Sequence, residues 1–251
     1  MSLNIFTTTP SPIALANLAK AGKAFDSSLV KLATGSRINR AADDPAGLIT
    51  SENLRAALAA IESESRAHER TDAVANVADG ALAEVSGLLN DANAAAVAGA
   101  NSAGLSQAER DGYQLEIDSA RQSIERIVST TEFNGQRLFD GGVTLSSGDA
   151  SVAIPSIAAP DATQDSIAAA IAHVSTARAQ IGAFQKYSLG AQSRAADAAR
   201  ENIAAANSVI RDTDFAAESA ALARAHVLKA SGLMASSVAS GSPRIVLGLL
   251  R

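Results

Sequence analysis

From Pro45 to Ala100 no second proline breaks the chain, and larger apolar residues recur at helical spacing: Leu54, Leu58, Ile61, then Val74 and Val77, then Leu82, Val85 and Leu89. Read as one helix at 1.5 Å per residue, the stretch is about 80 Å long. An element of that length commits the chain to a bundle or coil built lengthwise, with other helices lying alongside. The composition agrees. Ala is the commonest residue, while six Phe, two Tyr and no Trp leave few bulky groups for a globular interior. Small side chains of high helix propensity suit helices that approach closely. The expected fold class is mainly α, a long antiparallel helical bundle or coiled coil with one small β-hairpin.

The flanking segments carry the same periodicity. Leu15, Leu18, Gly22, Phe25, Leu29 and Leu32 are spaced 3, 4, 3, 4 and 3, a heptad seam on a helix that Gly35 stops, with Lys31 near its negative end. An isolated helix of that length is marginal in water and needs a partner. Ser106 and Glu109 have capping-box spacing at the start of a helix whose face carries Tyr113, Ile117, Ala120, Ile124 and Ile127. Asn134-Gly135 and Gly141-Gly142 are turn signals, and alternation from Val143 to Pro155 around Ser147-Gly148-Asp149 predicts a hairpin. One helix is expected from about Ala162 to about Ile210, with Ile167, Ile171, Val174, Ile181, Ile203 and Ile210. Asp212, Thr213 and Asp214 can each cap a last helix running from Phe215 to about Val238. Beyond it, Ile245, Val246, Leu247, Leu249 and Leu250 crowd five aliphatic groups into the terminal segment. Burying them contributes on the order of 10 kcal/mol, so the segment reads as an interaction site.

Charge and chemistry exclude several classes. A net charge of −5 with scattered Lys and Arg argues against nucleic acid. With no Cys there is no disulfide, thiolate metal site or thiol nucleophile. The opening MSLNIFTTTPSP lacks a basic start and apolar run, so no secretory signal is expected, and no run is long enough for a membrane span. A lipid-surface helix would need a basic polar face and aromatic anchors, which are missing. His68, His173 and His226 form no ligand motif and read as exposed helix residues. Asp43 and Asp44 are adjacent rather than convergent, and Asp44 followed by Pro45 reads as an N-cap and first helical position. Ser236-Ser237 lacks a nucleophile context and no glycine loop suits phosphate, so the chain is expected to be no enzyme and to use no cofactor or metal.

Five stretches then carry a family resemblance: KLATGSRINRAADDPAGL at 31–48, EFNGQRLFDG at 132–141, IGAFQKY at 181–187, VIRDTDFAAE at 209–218 and the terminal IVLGLLR. In this order and spacing they resemble bacterial flagellin over residues 25–141 and 165–251. The resemblance implies a subunit whose terminal segments, 1–42 and 212–251, pair as an inner filament-core layer, with 43–211 forming an outer rod-like domain that includes the hairpin near 143–155. It implies a homopolymeric flagellar filament outside the cell, export unfolded through the flagellar type III channel, a chaperone on the C-terminal helix, and contacts with filament cap and hook-junction proteins. A hook-filament junction protein shares the same terminal plan. Two departures stand out: the place of the family's large variable domains holds only about 25 residues, and the Arg-rich stretch read by an innate immune receptor is DANAAAVAGAN, 91–101, with Asp91, Asn93 and Ala94 in place of its Arg and Glu types.

On this basis the polymerisation core is expected at Leu15, Leu18, Phe25, Leu29, Leu32, Leu222, Leu233, Ile245, Val246, Leu247, Leu249 and Leu250. The polar island GSRINRAADDPAGL reads as a joint between layers. Its residues are Arg37, Asn39, Arg40, Asp43, Asp44 and Pro45, facing Arg211, Asp212, Asp214 and Phe215, with Asp212 and Asp214 opposite Arg37 and Arg40.

Overall fold

The computed structural model describes residues 12–101 and 104–249, with side chains described as far as Val238. The fold is mainly α. Its helices are α1 (Pro12–Thr34), α2 (Pro45–Ala100), α3 (Gln107–Thr130), α4 (Gln164–Ala183), α5 (Gly190–Arg211) and α6 (Phe215–Leu249). No helix among the described residues is long and apolar enough to cross a membrane. The chain divides into two compact units, one from residues up to Leu58 and from Asn202 onward, the other from Ala59 to Glu201. The division falls within α2 and α5, beyond the joint, because the first turns of α2 and the last of α5 share contacts with the joint itself.

In the unit formed by residues 59–201, Ala75, Ala78, Leu82, Val85, Leu89, Ala92 and Ala96 are buried along α2 at spacings of 3, 4, 3, 4, 3 and 4. Four of the seven are Ala, and small side chains there let neighbouring helices come close. Against this seam lie Ile117, Ala120 and Ile124 of α3 and Ile167, Val174, Ala177 and Ile181 of α4. Val77, expected on the apolar face, is instead partly exposed beside buried Ala78.

The capping box at the start of α3 is complete: Ser106 N–H donates to Glu109 at 2.7 Å and Glu109 N–H donates to Ser106 Oγ at 3.3 Å. The expected hairpin is present as β3 (Thr144–Ser147) and β4 (Ala150–Ala153), antiparallel, with Ser147 opposite Ala150 and Gly148 at φ +55 in the two-residue loop. A second, shorter hairpin joins β1 (Glu132–Phe133) to β2 (Gln136–Arg137). Its loop is Asn134-Gly135, with φ of 53 and 78, the doubly positive pair that matches the twist of the flanking strands. Leu138, Phe139, Leu145 and Ile154 carry both hairpins into the core.

The long C-terminal helix expected from Ala162 to Ile210 is interrupted by a π-helical turn, Phe184–Leu189. The Gly190 N–H donates to the Gln185 carbonyl, and a Cβ at position 190 would lie 3.2 Å from that oxygen. One extra residue in the turn brings Phe184 and Leu189, five apart, onto the buried side together.

Candidate functional site

In the other unit α1 and α6 run antiparallel. Residues rising along α1 meet residues falling along α6: Leu18 lies over Gly232, the Phe25 ring is 5.8 Å from that of His226, and Lys31 pairs with Glu218 at 3.6 Å. A Cβ on Gly232 would come within 3.2 Å of Leu18 Cδ1, so this glycine permits the close approach. Lys229 Nζ stands 4.8 Å from the centre of the Phe25 ring, a cation–π contact.

The seam used within the chain is offset from the expected one. Ala21 and Ser28 are buried and Leu18, Phe25 and Leu32 half-buried, again at spacings of 3 and 4. Leu222 is half-buried and Ala225 buried on α6. Leu15 and Leu29 of the expected seam stay exposed, as do Val227, Leu228, Leu233, Met234 and Val238 on α6. Each helix therefore buries part of its apolar surface on its partner and leaves other large aliphatic residues exposed. A groove of about 560 Å³ between them is lined by Leu18, Ala21, Leu228 and Gly232. Ile245, Val246, Leu247 and Leu249 lie where side chains are outside the described residues, and Leu250 is outside them altogether.

At the joint, Gly35 takes φ +69 and ends α1, as expected of a C-terminal glycine stop. The two connecting strands then pair. Ser36 and Asp212 form an antiparallel bridge, with Arg37 N–H donating to the Arg211 carbonyl at 2.6 Å and Thr213 N–H to the Gly35 carbonyl at 2.9 Å. The island and VIRDTDF are thus brought together, but not by the expected ion pairs. The Arg37 guanidinium donates to the Ile210 carbonyl at 2.6 Å. Asp212 accepts from Ser208, and Asp214 caps α6 by accepting from Ala216 and Ala217 at 2.9 and 3.0 Å. The carboxylates are drawn to unpaired N–H groups at a helix start and to a hydroxyl one turn away, partners in fixed geometry that flexible Arg side chains do not displace. The ion pair that does form joins Arg211 to Glu52 at 3.2 Å.

Asp44 is the N-cap of α2, accepting from Gly47 N–H at 2.9 Å, with Pro45 in the first helical position. Asp43 folds back to accept from the Arg40 and Asn39 N–H groups at 2.8 and 3.1 Å. Those two backbone donors, Arg40 first, hold its carboxyl below the usual aspartate range. Asn39 in turn donates to the Ser36 carbonyl at 2.7 Å. Two residues of the island that are not among the expected joint residues complete it. Ile38 is only 2% exposed, an aliphatic anchor inside a polar loop. Gly47 must lack a side chain, because a Cβ there would fall 2.4 Å from Asp44 Oδ2 and 2.8 Å from Ile38 Cδ1. Phe215, at the start of α6, is more than half exposed, with the edge of its ring near Gly35.

Among the described residues no group of three or more His, Asp or Glu is placed to hold a metal ion. His173 and His226 are exposed as expected, but His68 is buried, because Ser147 of β3 gives its ring a polar partner at 3.1 Å.

The profile of the bacterial flagellin N-terminal helical region matches residues 5–144, and that of the C-terminal helical region matches residues 165–250. A flagellin of Halalkalibacterium halodurans is 33% identical over 94% of this chain and 93% of its own length. The flagellar filament 31.3 kDa core protein of Treponema maltophilum is 26% identical over 95% of each chain, and a flagellin of Bacillus subtilis 28% identical over 94% and 96%. The region between the two profiles holds most of β3, all of β4 and the approach to α4. Matched at both ends and along nearly its whole length, the chain belongs to the bacterial flagellin family.

Proposed function

We propose that the chain is the repeating structural subunit of a bacterial flagellar filament, joined to its neighbours through the outward stripes of α1 and α6. The observation that carries this is the doubled apolar pattern: Leu15 and Leu29 on α1, and Leu228, Leu233 and Met234 on α6, remain exposed after the two helices have satisfied each other. Large aliphatic residues left exposed on both helices of the pair point to an interaction surface. A subunit offering one face to a different face of an identical neighbour propagates without closing, which generates a helical polymer. Residues 1–42 and 212–251 are assigned to the inner layer of that polymer and 43–211 to its outer rod, with the paired strands at Ser36 and Asp212 as the connection between layers. The terminal aliphatics Ile245 to Leu250 belong to the same core.

The role is structural rather than enzymatic. The subunit works outside the cell, reaching its place through the flagellar type III export channel with a chaperone on the C-terminal helix, and adding beneath a filament cap beyond the hook-junction proteins. With Asp91, Asn93 and Ala94 in place of Arg and Glu types, α2 presents a poor epitope to the innate receptor that reads this stretch. A receptor reporter assay is expected to give a weak response, and a potent one would overturn that reading.

The test of assembly uses Leu15→Glu with Leu29→Glu, and separately deletion of residues 241–251. The double substitution spares the α1–α6 seam, so circular dichroism is expected to report full helicity, and the deletion is expected to lose only the signal of the last turns of α6; in both, electron microscopy is expected to find no filaments. Filaments of normal form and length from either variant would sink the proposal.

A further inference from the structure

One chain of hydrogen bonds fastens the turn end of the β3–β4 hairpin to α2 and α5. Gln192 Nε2 donates to the Ser147 carbonyl at 2.8 Å, which turns Gln192 Oε1 toward Ser147 Oγ, and the hydroxyl donates to it. Gly148 allows this approach, since a Cβ there would lie 3.0 Å from Gln192 Nε2. The hydroxyl has one proton, so across the 3.1 Å contact with His68 Nδ1 the oxygen accepts and the ring donates. On the other side of the ring, Nε2 makes no hydrogen bond and lies 3.5 Å from Glu64 Oε1. The ring is buried, so both nitrogens depend on these neighbours. Only a ring with a proton on each nitrogen suits both: Nδ1–H donates to Ser147 and Nε2–H faces a carboxylate. With one proton fewer, either Nε2 turns a lone pair on Glu64 or Nδ1 turns one on an oxygen whose proton is already committed. Either arrangement penalises the docked hairpin, and the penalty is relieved when the hairpin end lifts and water reaches the ring.

We infer that His68 is a proton switch for the hairpin: with both ring nitrogens protonated it clamps Ser147 to α2, and on losing a proton it releases the turn end of the hairpin. The charged groups around it come from three elements. On α2 they are Glu64, Glu69 and Asp72, and on α5 Asp197 and Arg200, which line the cavity that the ring borders. The hairpin turn carries Asp149, which faces a different groove beside Gln180 and Tyr187. Asp72 is engaged by Gln185 and Asn76, and Lys186 of the π-helical turn stands 5.2 Å from the centre of the Tyr187 ring. The setting is mainly acidic, which supports the second ring proton. The sign follows: the hairpin end is held on the acid side of the ring's titration and loosens as pH rises through it. The movement is local, because Leu145 and Ile154 keep the rest of the hairpin in the core. The switch operates within one unit of a single chain and is independent of polymerisation.

The test is a pH titration of the 15N-labelled full chain by nuclear magnetic resonance. The His68 ring nitrogens report its protons, and the Gln192 side-chain amide, which donates to the Ser147 carbonyl, reports the dock. As the ring passes from two protons to one, the Gln192 amide resonances are expected to shift. Protection of the Gln192 Nε2 hydrogens, measured against the intrinsic exchange rate at each pH, is expected to fall about tenfold or more. In His68→Gln both changes should vanish. Ser147→Ala keeps the ring and removes the hydroxyl link, so there the ring should still titrate while Gln192 no longer responds. Gln192 resonances and protection that stay constant while the wild-type ring titrates, a change of opposite sign, or a step that persists in either variant overturns the inference.

Discussion

Ser36 and Asp212 stand opposite each other in an antiparallel bridge closed on either side by backbone hydrogen bonds. The joint is therefore held by main chain, with side chains serving to shape each strand. Arg37 tests the distinction, since its N–H belongs to the bridge and its guanidinium to a separate bond with the Ile210 carbonyl. Arg37→Ala, which keeps the N–H, is expected to cost about 1 kcal/mol or less. Arg37→Pro removes the donor and should cost several-fold more, with amides 35–36 and 211–213 losing protection in hydrogen exchange. Equal effects of the two variants would mean the guanidinium, not the bridge, holds the strands.

Ile38 and Gly47 form one steric unit, because a Cβ at 47 would meet Ile38 Cδ1 at 2.8 Å. Ile38→Ala should destabilise by about 2–5 kcal/mol, as for other buried aliphatics, and Gly47→Ala by about 1–3 kcal/mol through overpacking against Asp44. Ile38→Val removes the clashing methyl. The double variant Ile38→Val with Gly47→Ala is expected to be less destabilised than the sum of the singles in thermal unfolding.

Asp43 gives the joint a defined acid sensitivity. Its carboxyl is held below the usual aspartate range by the Arg40 and Asn39 N–H groups, so the folded form binds its proton more weakly than the unfolded one. The stabilisation is thus fully present above the ordinary aspartate value and is lost as pH falls through the lower, folded value. The protection factors of the Asn39 and Arg40 amides, measured against the intrinsic exchange rate at each pH, should fall over that window. In Asp43→Asn this pH-dependent fall should be absent.

At the start of α3, Ser106→Ala should cost about 1 kcal/mol, the usual worth of an N-cap. The first turn of the helix is expected to fray while Ile117 and Ile124 stay protected. The Glu109 carboxyl is also held low, chiefly by the Ser106 hydroxyl and then by its N–H. Below the glutamate range the wild type should fray as the variant does, and nuclear magnetic resonance of residues 107–110 at neutral and acid pH would check both.

Much of the fold is legible in the sequence because it rests on local periodicity and on end signals. The heptad spacing of α2, the Ser106–Glu109 box, the Gly35 stop and the Asp44-Pro45 start each depend on residues within one or two turns of one another. What escapes is what distant residues decide. Ile38 sits in a run of polar neighbours, and only the facing strand at 209–215 turns it inward. Nothing local distinguishes Gly47 from the other glycines of the helices until Ile38 approaches it. His68 looks like any polar helix residue until Ser147, 79 positions away, arrives beside it. The arginines and aspartates of the joint suggested mutual pairing by charge alone, whereas short-range capping and main-chain acceptors claimed both sets. On α1 the expected Leu18, Phe25 and Leu32 are half-buried, whereas Leu15 and Leu29 stay exposed and Ala21 and Ser28 are buried in their stead, because two stripes overlap on that helix and only α6 selects which faces inward.

The π-helical turn at Phe184–Leu189 makes the helical phase of α4 and α5 independent of each other. Residues before it are set by the α2 seam, through Val174, Ala177 and Ile181, and residues after it by the hairpin, through Gln192 on Ser147. An uninterrupted α-helix cannot serve both, since its 3.6-residue repeat fixes every later side chain from the first. Removing one residue from the turn would therefore rotate all of α5 by about 100° and carry Gln192 away from the hairpin without disturbing α4. The turn is a splice between two registers, and it lets the core and the hairpin vary separately in one continuous rod of backbone.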